Sequence, residues 1–316
     1  MQDKRTQMIQ TIDCKPPFDF ALSAYILADG DPQIAKYDGT VYRQVLRVGD
    51  KLLLATVASI GSVDSPQLRA EFTSDRPLTD RDASAAHAVI SSVFNAHLDV
   101  KPFYHAIRND PVMTELSGRL SGLKNPATPT VFQALVESII EQQISLNVAH
   151  VFQRRVIKAF GDVLAVDGDT YYAFPTPEQI ARAPVDSLRR CGLSRRKAEY
   201  ITGIAARIAA QAEDLERLRQ YGETQMIIDS LCSLRGVGVW TAELTAIRGL
   251  NRLDVFPADD LGLRRWVAYY YCNERTITSA QARGIAEQWG KWRGLAGYYL
   301  VVAGLLKIMT KAQNAT

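Results

Sequence analysis

The chain has 316 residues, 47% hydrophobic and 22% charged, with 20 glycines, 13 prolines and four cysteines. At about 100–200 residues per domain this length implies two domains or three, and no tract is polar or repetitive enough for a disordered, collagen-like or mucin-like chain. Thirty-seven basic against 34 acidic residues leave a net charge of +3, which permits a polyanionic partner without demanding one. Cys14, Cys191, Cys232 and Cys272 stand apart with no C-x-x-C pair, which argues against zinc knuckles, Cys-ligated iron–sulfur clusters and a disulfide scaffold. The first 20 residues lack the apolar segment of a secretory signal, and the most apolar run, 295–306, is too short to span a bilayer and reads as a buried helix. The expected location is intracellular: cytoplasm and nucleoid, or nucleus in a eukaryote.

In chain order, Ala21 to Leu27 has helical composition. Val41 to Val48 partly alternates apolar and polar residues, Gly49-Asp50 punctuates, and Lys51 to Val57 continues as a second strand, which predicts a hairpin. Gln67 to Thr73 adds a further strand and Asp82 to Leu98 a helix. From about Pro102 the pattern becomes helices separated by tight breakers. Thr130-Val131-Phe132-Gln133 has capping-box spacing and opens a run with apolar residues at 132, 135, 136, 139 and 140. Ser145 is placed to cap a helix reaching about Phe160, Thr176-Pro177-Glu178-Gln179 starts another, Gly192 ends a short one, and Arg195 to Ala212 makes the next. The expected fold class is α+β: an N-terminal α+β domain with a small antiparallel sheet over 1–105, then an all-α region over 106–316.

The most informative stretch is Leu234-Arg235-Gly236-Val237-Gly238-Val239-Trp240-Thr241-Ala242. A helix ends near Leu234, the Gly-x-Gly turn reverses the chain, and a new helix begins after Gly238. Glycines allow positive φ and close backbone approach, so the turn aims several N–H groups and a helix N-terminus at one spot, the geometry of a phosphate site. Alone, such a turn is in most chains only a turn. Downstream lies Asp254-Val255-Phe256-Pro257-Ala258-Asp259-Asp260, just before an apolar-periodic helix. One aspartate reads as an N-cap. The alternative is chemical, because cleaving an N-glycosidic bond develops oxocarbenium character that a fixed carboxylate stabilises. Two adjacent aspartates cannot face one target, so one is expected to act and its neighbour to cap.

Together these segments resemble the helix-hairpin-helix DNA glycosylase superfamily, and within it the 3-methyladenine DNA glycosylase II family. The resemblance extends to Pro16-Pro17-Phe18-Asp19-Phe20, Glu141-Gln142-Gln143-Ile144-Ser145 and Gly192-Leu193-Ser194-Arg195-Arg196-Lys197-Ala198, in colinear order over most of the chain. It implies two helical lobes with the active-site cleft between them, and a monomer that binds double-stranded DNA containing damaged bases. Asp260 would be the catalytic carboxylate. Gly236, Val237 and Gly238, with Thr241 beside them, would hold a DNA phosphate, and Gln143 would fill the gap left by a flipped nucleotide. No cofactor and no catalytic metal are implied, though carbonyls of Cys232, Leu234 and Val237 would hold a monovalent cation.

Trp240, Leu244 and Tyr25 are expected around the extruded base. Trp240 stands where bifunctional relatives carry a nucleophilic lysine, which implies a monofunctional enzyme using water. Leu244 and Val301 replace aromatic residues of the best-studied type, making the pocket less aromatic unless Tyr25, Tyr298 or Tyr299 compensates. Arg154, Arg155, Arg195, Arg196, Lys197 and Arg235 are expected along the DNA groove. The expected activity is excision of alkylated purines such as 3-methyladenine and 7-methylguanine, in base excision repair. The alternatives are a non-catalytic binder of bent or damaged DNA and a glycosylase/lyase for oxidised bases.

Overall fold

The computed structural model describes residues 6–28 and 30–310. The N-terminal part contains β1 (Thr6–Asp13), α1 (Phe20–Leu27), β2 (Ala35–Tyr37), β3 (Val41–Val48), β4 (Lys51–Ser59), β5 (Gln67–Ser74) and α2 (Asp80–Val93). The strands form one antiparallel sheet in the order β1-β5-β4-β3-β2. The expected hairpin is present, with Val48 opposite Lys51 and Gly49 at φ +58° in its turn. The edge strands β1 and β2 carry little sequence signal, because one is mostly polar and the other spans only three residues. Tyr42, Leu46, Leu53, Ala55, Val57 and Phe72 pack on α2 to make the first core. That helix opens on a Thr79–Asp82 capping box and stops earlier than expected, because Asn95 turns left-handed at φ +50°. The turn lets the Asn95 side-chain amide donate to Asn125 and, at 3.0 Å, to Asn251.

The remainder contains α3 (Lys101–Ala106), α4 (Pro111–Arg119), α5 (Val131–Glu141), α6 (Leu146–Phe160), β6 (Val163–Val166), β7 (Asp169–Tyr172), α7 (Pro177–Arg182), α8 (Val185–Arg190), α9 (Arg195–Ala209), α10 (Thr224–Cys232), α11 (Val239–Leu250), α12 (Leu261–Tyr271), α13 (Ser279–Ala286) and α14 (Arg293–Leu305). It is not all-α: β6 and β7 form a second hairpin around Asp167-Gly168, both at positive φ. Asp-Gly between two short runs is a hairpin signal. The hairpin is held because Leu164, Val166 and Ala173 bury against Val45 and Leu54 on the outer face of the first sheet. The predicted caps form. Thr130 accepts from the Gln133 N–H at 3.1 Å, although the Gln133 side chain reaches forward to Glu137 rather than back, so the box is half closed. The Thr176–Gln179 box is complete, and Ser145 and Ser194 cap α6 and α9.

Two further cores divide the helices into lobes. Lobe A is built from α5 to α11 around Leu135, Ile139, Ile201, Ile227 and Ala246. Lobe B joins α3 and α4 to α12, α13 and α14 around Phe103, Leu116, Val267, Trp289 and Leu300. Lobe B is therefore discontinuous in sequence, with lobe A inserted in it. At Gly249 a Cβ would stand 3.2 Å from the Val131 Cα, so α5 and α11 run antiparallel, their N- and C-terminal ends paired.

Lys124 joins these parts from within. It is 1% exposed, and its ammonium donates to the carbonyls of Lys15 and Ala96, both at 2.8 Å. Burial lowers its pKa from 10.5 to about 8. The unfolded lysine keeps its proton to higher pH, so above the folded pKa the unfolded chain binds more protons and stability rises with pH. Burial also raises the Cys14 thiol from 9.0 to about 11, which opposes the trend above pH 9.0. The denaturation midpoint should therefore climb between about pH 7.5 and 9, and Lys124→Met should abolish that rise; an identical slope in the variant would assign it to other groups.

Candidate active site

The α10–α11 connection is built on two glycines with different constraints. Gly236 has φ +90°, and a Cβ there would lie 2.2 Å from the Tyr200 ring, so only glycine fits. Gly238 has φ −99° and open space where a Cβ would point. It is the N-cap of α11 but supplies no side-chain cap; the first bond of the helix runs from the Ala242 N–H to its carbonyl at 2.9 Å. The N–H groups of Val239, Trp240 and Thr241 precede that bond and have no intrahelical acceptor, and the positive end of the helix dipole stabilises an anion there. Val237 is 7% exposed and anchors the turn in the lobe A core.

The α5–α6 loop is clamped to this hairpin. The Gln142 side-chain amide donates to the Gly236 carbonyl at 3.0 Å and to Thr241 Oγ1 at 2.9 Å. Lys197 Nζ donates to the carbonyls of Ile140 and Gln142, closing the end of α5. Lys197 is thus committed to the scaffold rather than to a groove, and burial lowers its pKa. Thr241 is 2% exposed, and its hydroxyl accepts from Gln142, which braces the hairpin. Next to this clamp Gln143 sits exposed at φ +57°, a left-handed conformation uncommon outside glycine.

Asp260 lies across from the hairpin, at the start of α12 and therefore on lobe B. Its Oδ1 accepts from the Leu263 N–H at 2.7 Å, and its Oδ2 accepts from the Trp240 indole N–H at 3.1 Å. One residue thus both caps the helix and faces the cleft, contrary to the expected division of labour. Asp259 points elsewhere: Ser279 donates to it at 2.6 Å, and Arg283 lies 3.9 Å away. Trp240 and Asp260 belong to different lobes, so their hydrogen bond spans the boundary and sets the plane of the half-buried indole beside the carboxylate.

The wall behind that pair is one face of α11. Trp240, Leu244 and Arg248 follow at four-residue spacing. Leu244 is 8% exposed, directly one turn beyond Trp240. Arg248 Nη1 donates to Glu141 Oε1 at 2.7 Å, and Gln153 donates to the same oxygen at 3.2 Å. Burial works against the Arg248 charge, but Glu141, then Glu137 and Asp260, outweigh it and raise its pKa. Sequence reasoning gives no role to Arg248, and names Glu141 only within the Glu141–Ser145 segment, because their pairing joins residues far apart in the chain. Tyr25 is 62% exposed on α1, and no hydrogen bond or ring contact joins it to Trp240 or Asp260 among the described residues. Tyr299 is wholly buried in lobe B, where its hydroxyl meets Tyr104 and the Leu123 carbonyl, so it does not enlarge the pocket. A hollow of about 780 Å³ bordered by Arg154, Arg155, Lys158 and Arg190 shares no residue with this site.

This two-lobed arrangement matches known proteins. The family model described as HhH-GPD superfamily base excision DNA repair protein matches residues 136–291, from the middle of α5 past Asp260. Over that span the chain is similar to that superfamily. It is 26% identical over 277 residues to a DNA-3-methyladenine glycosylase of Bacillus subtilis, covering 87% of this chain and 90% of the relative. It is also 26% identical over 293 residues to DNA-3-methyladenine glycosylase 2 of Escherichia coli, covering 90% and 94%. The solved 3-methyladenine DNA glycosylase of Archaeoglobus fulgidus superposes with a TM-score of 0.83 at 28% identity, covering 95% of this chain and all of that one. The matched span contains the Leu234–Ala242 hairpin and Asp260, the residue that caps α12.

Among the described residues no cluster of His, Cys, Asp or Glu side chains offers a metal site, and no helix is long and apolar enough to cross a membrane. Backbone is what the hairpin offers a cation. The Leu234 carbonyl accepts from the Val237 N–H at 3.1 Å and retains a second lone pair.

Proposed function

We propose that this protein is a monofunctional DNA N-glycosylase of the 3-methyladenine type, which excises alkylated purines from duplex DNA and leaves an abasic site for base excision repair. The observation that carries this reading is the indole N–H of Trp240 bonded to Asp260 Oδ2. An indole stands where a lyase would need an amine, so the sugar has no protein nucleophile there and water must complete the reaction.

The chemistry follows from the two lobes. A phosphate beside the lesion docks on the N–H groups of the hairpin, and Gln143 occupies the space vacated in the stack. Extruding the base costs a few kcal/mol, less when it is damaged. An alkylated purine is cationic, attracted to the face of Trp240, and already a good leaving group. As the glycosidic bond breaks, positive charge develops at the sugar, and the Asp260 carboxylate is placed to stabilise it and orient water. A hydrogen bond and a cap hold that carboxylate in place before substrate arrives, so little reorganisation is needed during reaction. A monovalent cation on the hairpin carbonyls would add positive potential at the phosphate.

Release of free methylated purines from methylated duplex DNA, leaving alkali-sensitive abasic sites, is the expected result. Borohydride added during turnover should trap no protein–DNA adduct; a trapped adduct would refute the water mechanism. Tight binding to abasic DNA without base release would favour the non-catalytic binder.

A further inference from the structure

The wall of the cleft carries a cation that the reaction itself does not use. Arg248 lies two turns along α11 from Trp240, and helical side chains lean toward the N-terminus of their helix. The position of its partner confirms that lean. α5 and α11 run antiparallel, and Gln142 meets Thr241, so the adjacent Glu141 lies near the N-terminal half of α11. The Arg248 guanidinium that meets Glu141 has therefore folded back toward Leu244 and the Trp240–Asp260 pair.

Its donors are only partly used. Nη1 is bonded to Glu141, whereas Nε and Nη2 meet no protein acceptor among the described residues, and the side chain is 31% exposed against 6% for Glu141. An arginine fork held by one tine presents its other donors in a fixed direction. Glu141 in turn is pinned by Gln153. The local balance of Glu141, Asp260 and Arg248 is net negative, so the guanidinium does not repel a cationic base from the cleft.

We propose that Arg248 is a specificity-determining residue that favours 6-oxopurines over 6-aminopurines, by donating a charge-assisted hydrogen bond to the carbonyl oxygen of the extruded base. This rests on the glycosylase reading and names the substrate class within it. Guanine-type bases present an acceptor at position 6, which arginine bonds readily. Adenine-type bases present an amino group there, donor against donor. In 7-methylguanine the methyl group blocks N7 but leaves O6 free, whereas 3-methyladenine offers only its amino group at position 6.

The test measures 7-methylguanine and 3-methyladenine released from the same methylated duplex DNA under single-turnover conditions. Arg248→Met alone would strand the buried Glu141, so it is paired with Glu141→Gln, and Arg248→Lys serves as a variant that keeps the ion pair but not the fork. The double variant should lower the ratio of 7-methylguanine to 3-methyladenine release rates by about tenfold or more, the effect of losing one charge-assisted bond, and Arg248→Lys should fall between it and wild type. An unchanged ratio, with both rates reduced equally, would make Arg248 a structural residue and overturn the proposal while leaving the glycosylase reading intact. Absence of either base from the wild-type reaction would overturn the glycosylase reading and this one with it.

Discussion

Asp260→Asn should reduce base release by about 10²–10³-fold, the loss typical of removing one preorganised electrostatic group from an active site, without altering the fold. Asparagine caps helices as well as aspartate does. Its amide oxygen can still accept from the Leu263 N–H, the 2.7 Å bond that seats α12. Its other group becomes an NH2, which cannot accept from Trp240, so the 3.1 Å contact across the lobes is lost along with the negative charge. The measurements are single-turnover release, thermal unfolding and affinity for abasic duplex. A fall in release with unfolding and binding nearly unchanged is the expected pattern. Full activity in the variant would remove Asp260 from the mechanism and leave it only a cap.

The hairpin glycines should separate stability from recognition. Gly236→Ala places a methyl group 2.2 Å from the Tyr200 ring at φ +90°, and such strained backbone costs about 1–3 kcal/mol before the ring moves. Tyr200 also stacks under Arg235, at 5.7 Å, so displacing it disturbs the same turn. The variant should lose both thermal stability and DNA affinity, the latter by about tenfold or more. Gly238→Ala meets nothing within 4 Å and should unfold like wild type. Yet its methyl group would stand at the start of α11, where the proposed phosphate would approach, and DNA affinity should fall alone. Equal affinities for Gly238→Ala and wild type would place the phosphate elsewhere.

The parts of this fold that were legible in the sequence share a property: local chemistry settles them. Thr130, Ser145, Thr176 and Ser194 cap helices because their side chains satisfy N–H groups two or three residues away. The β3–β4 hairpin and the Gly236–Gly238 turn are likewise written in adjacent residues. What was missed depends on distant partners. The β6–β7 hairpin is four residues a side and persists because Val45 and Leu54 cover it from another part of the chain. Asp259 and Asp260 are indistinguishable as letters; Ser279 and Arg283 claim one, while Leu263 and Trp240 claim the other. Nothing local in the sequence shows that the Thr241 hydroxyl meets Gln142 or that Lys197 closes the end of α5. Arg248 gained its meaning only from Glu141, 107 positions earlier.

The division of lobe B into two stretches, with lobe A between them, has a temporal meaning. A ribosome emits this chain from its N-terminus, so α5 to α11 can close around their own core while α12 is still being made. The N–H of Thr128 and the carbonyl of Arg248, 2.9 Å apart, close that insert at its neck. The helix that Asp260 caps has its principal neighbour in α14, whose Leu295, Leu300 and Ala303 fill the same core as Leu263 and Val267. The core beneath the helix that Asp260 caps is therefore complete only when the last helix arrives. A nascent chain acquires the proposed phosphate surface before it acquires the proposed catalytic carboxylate.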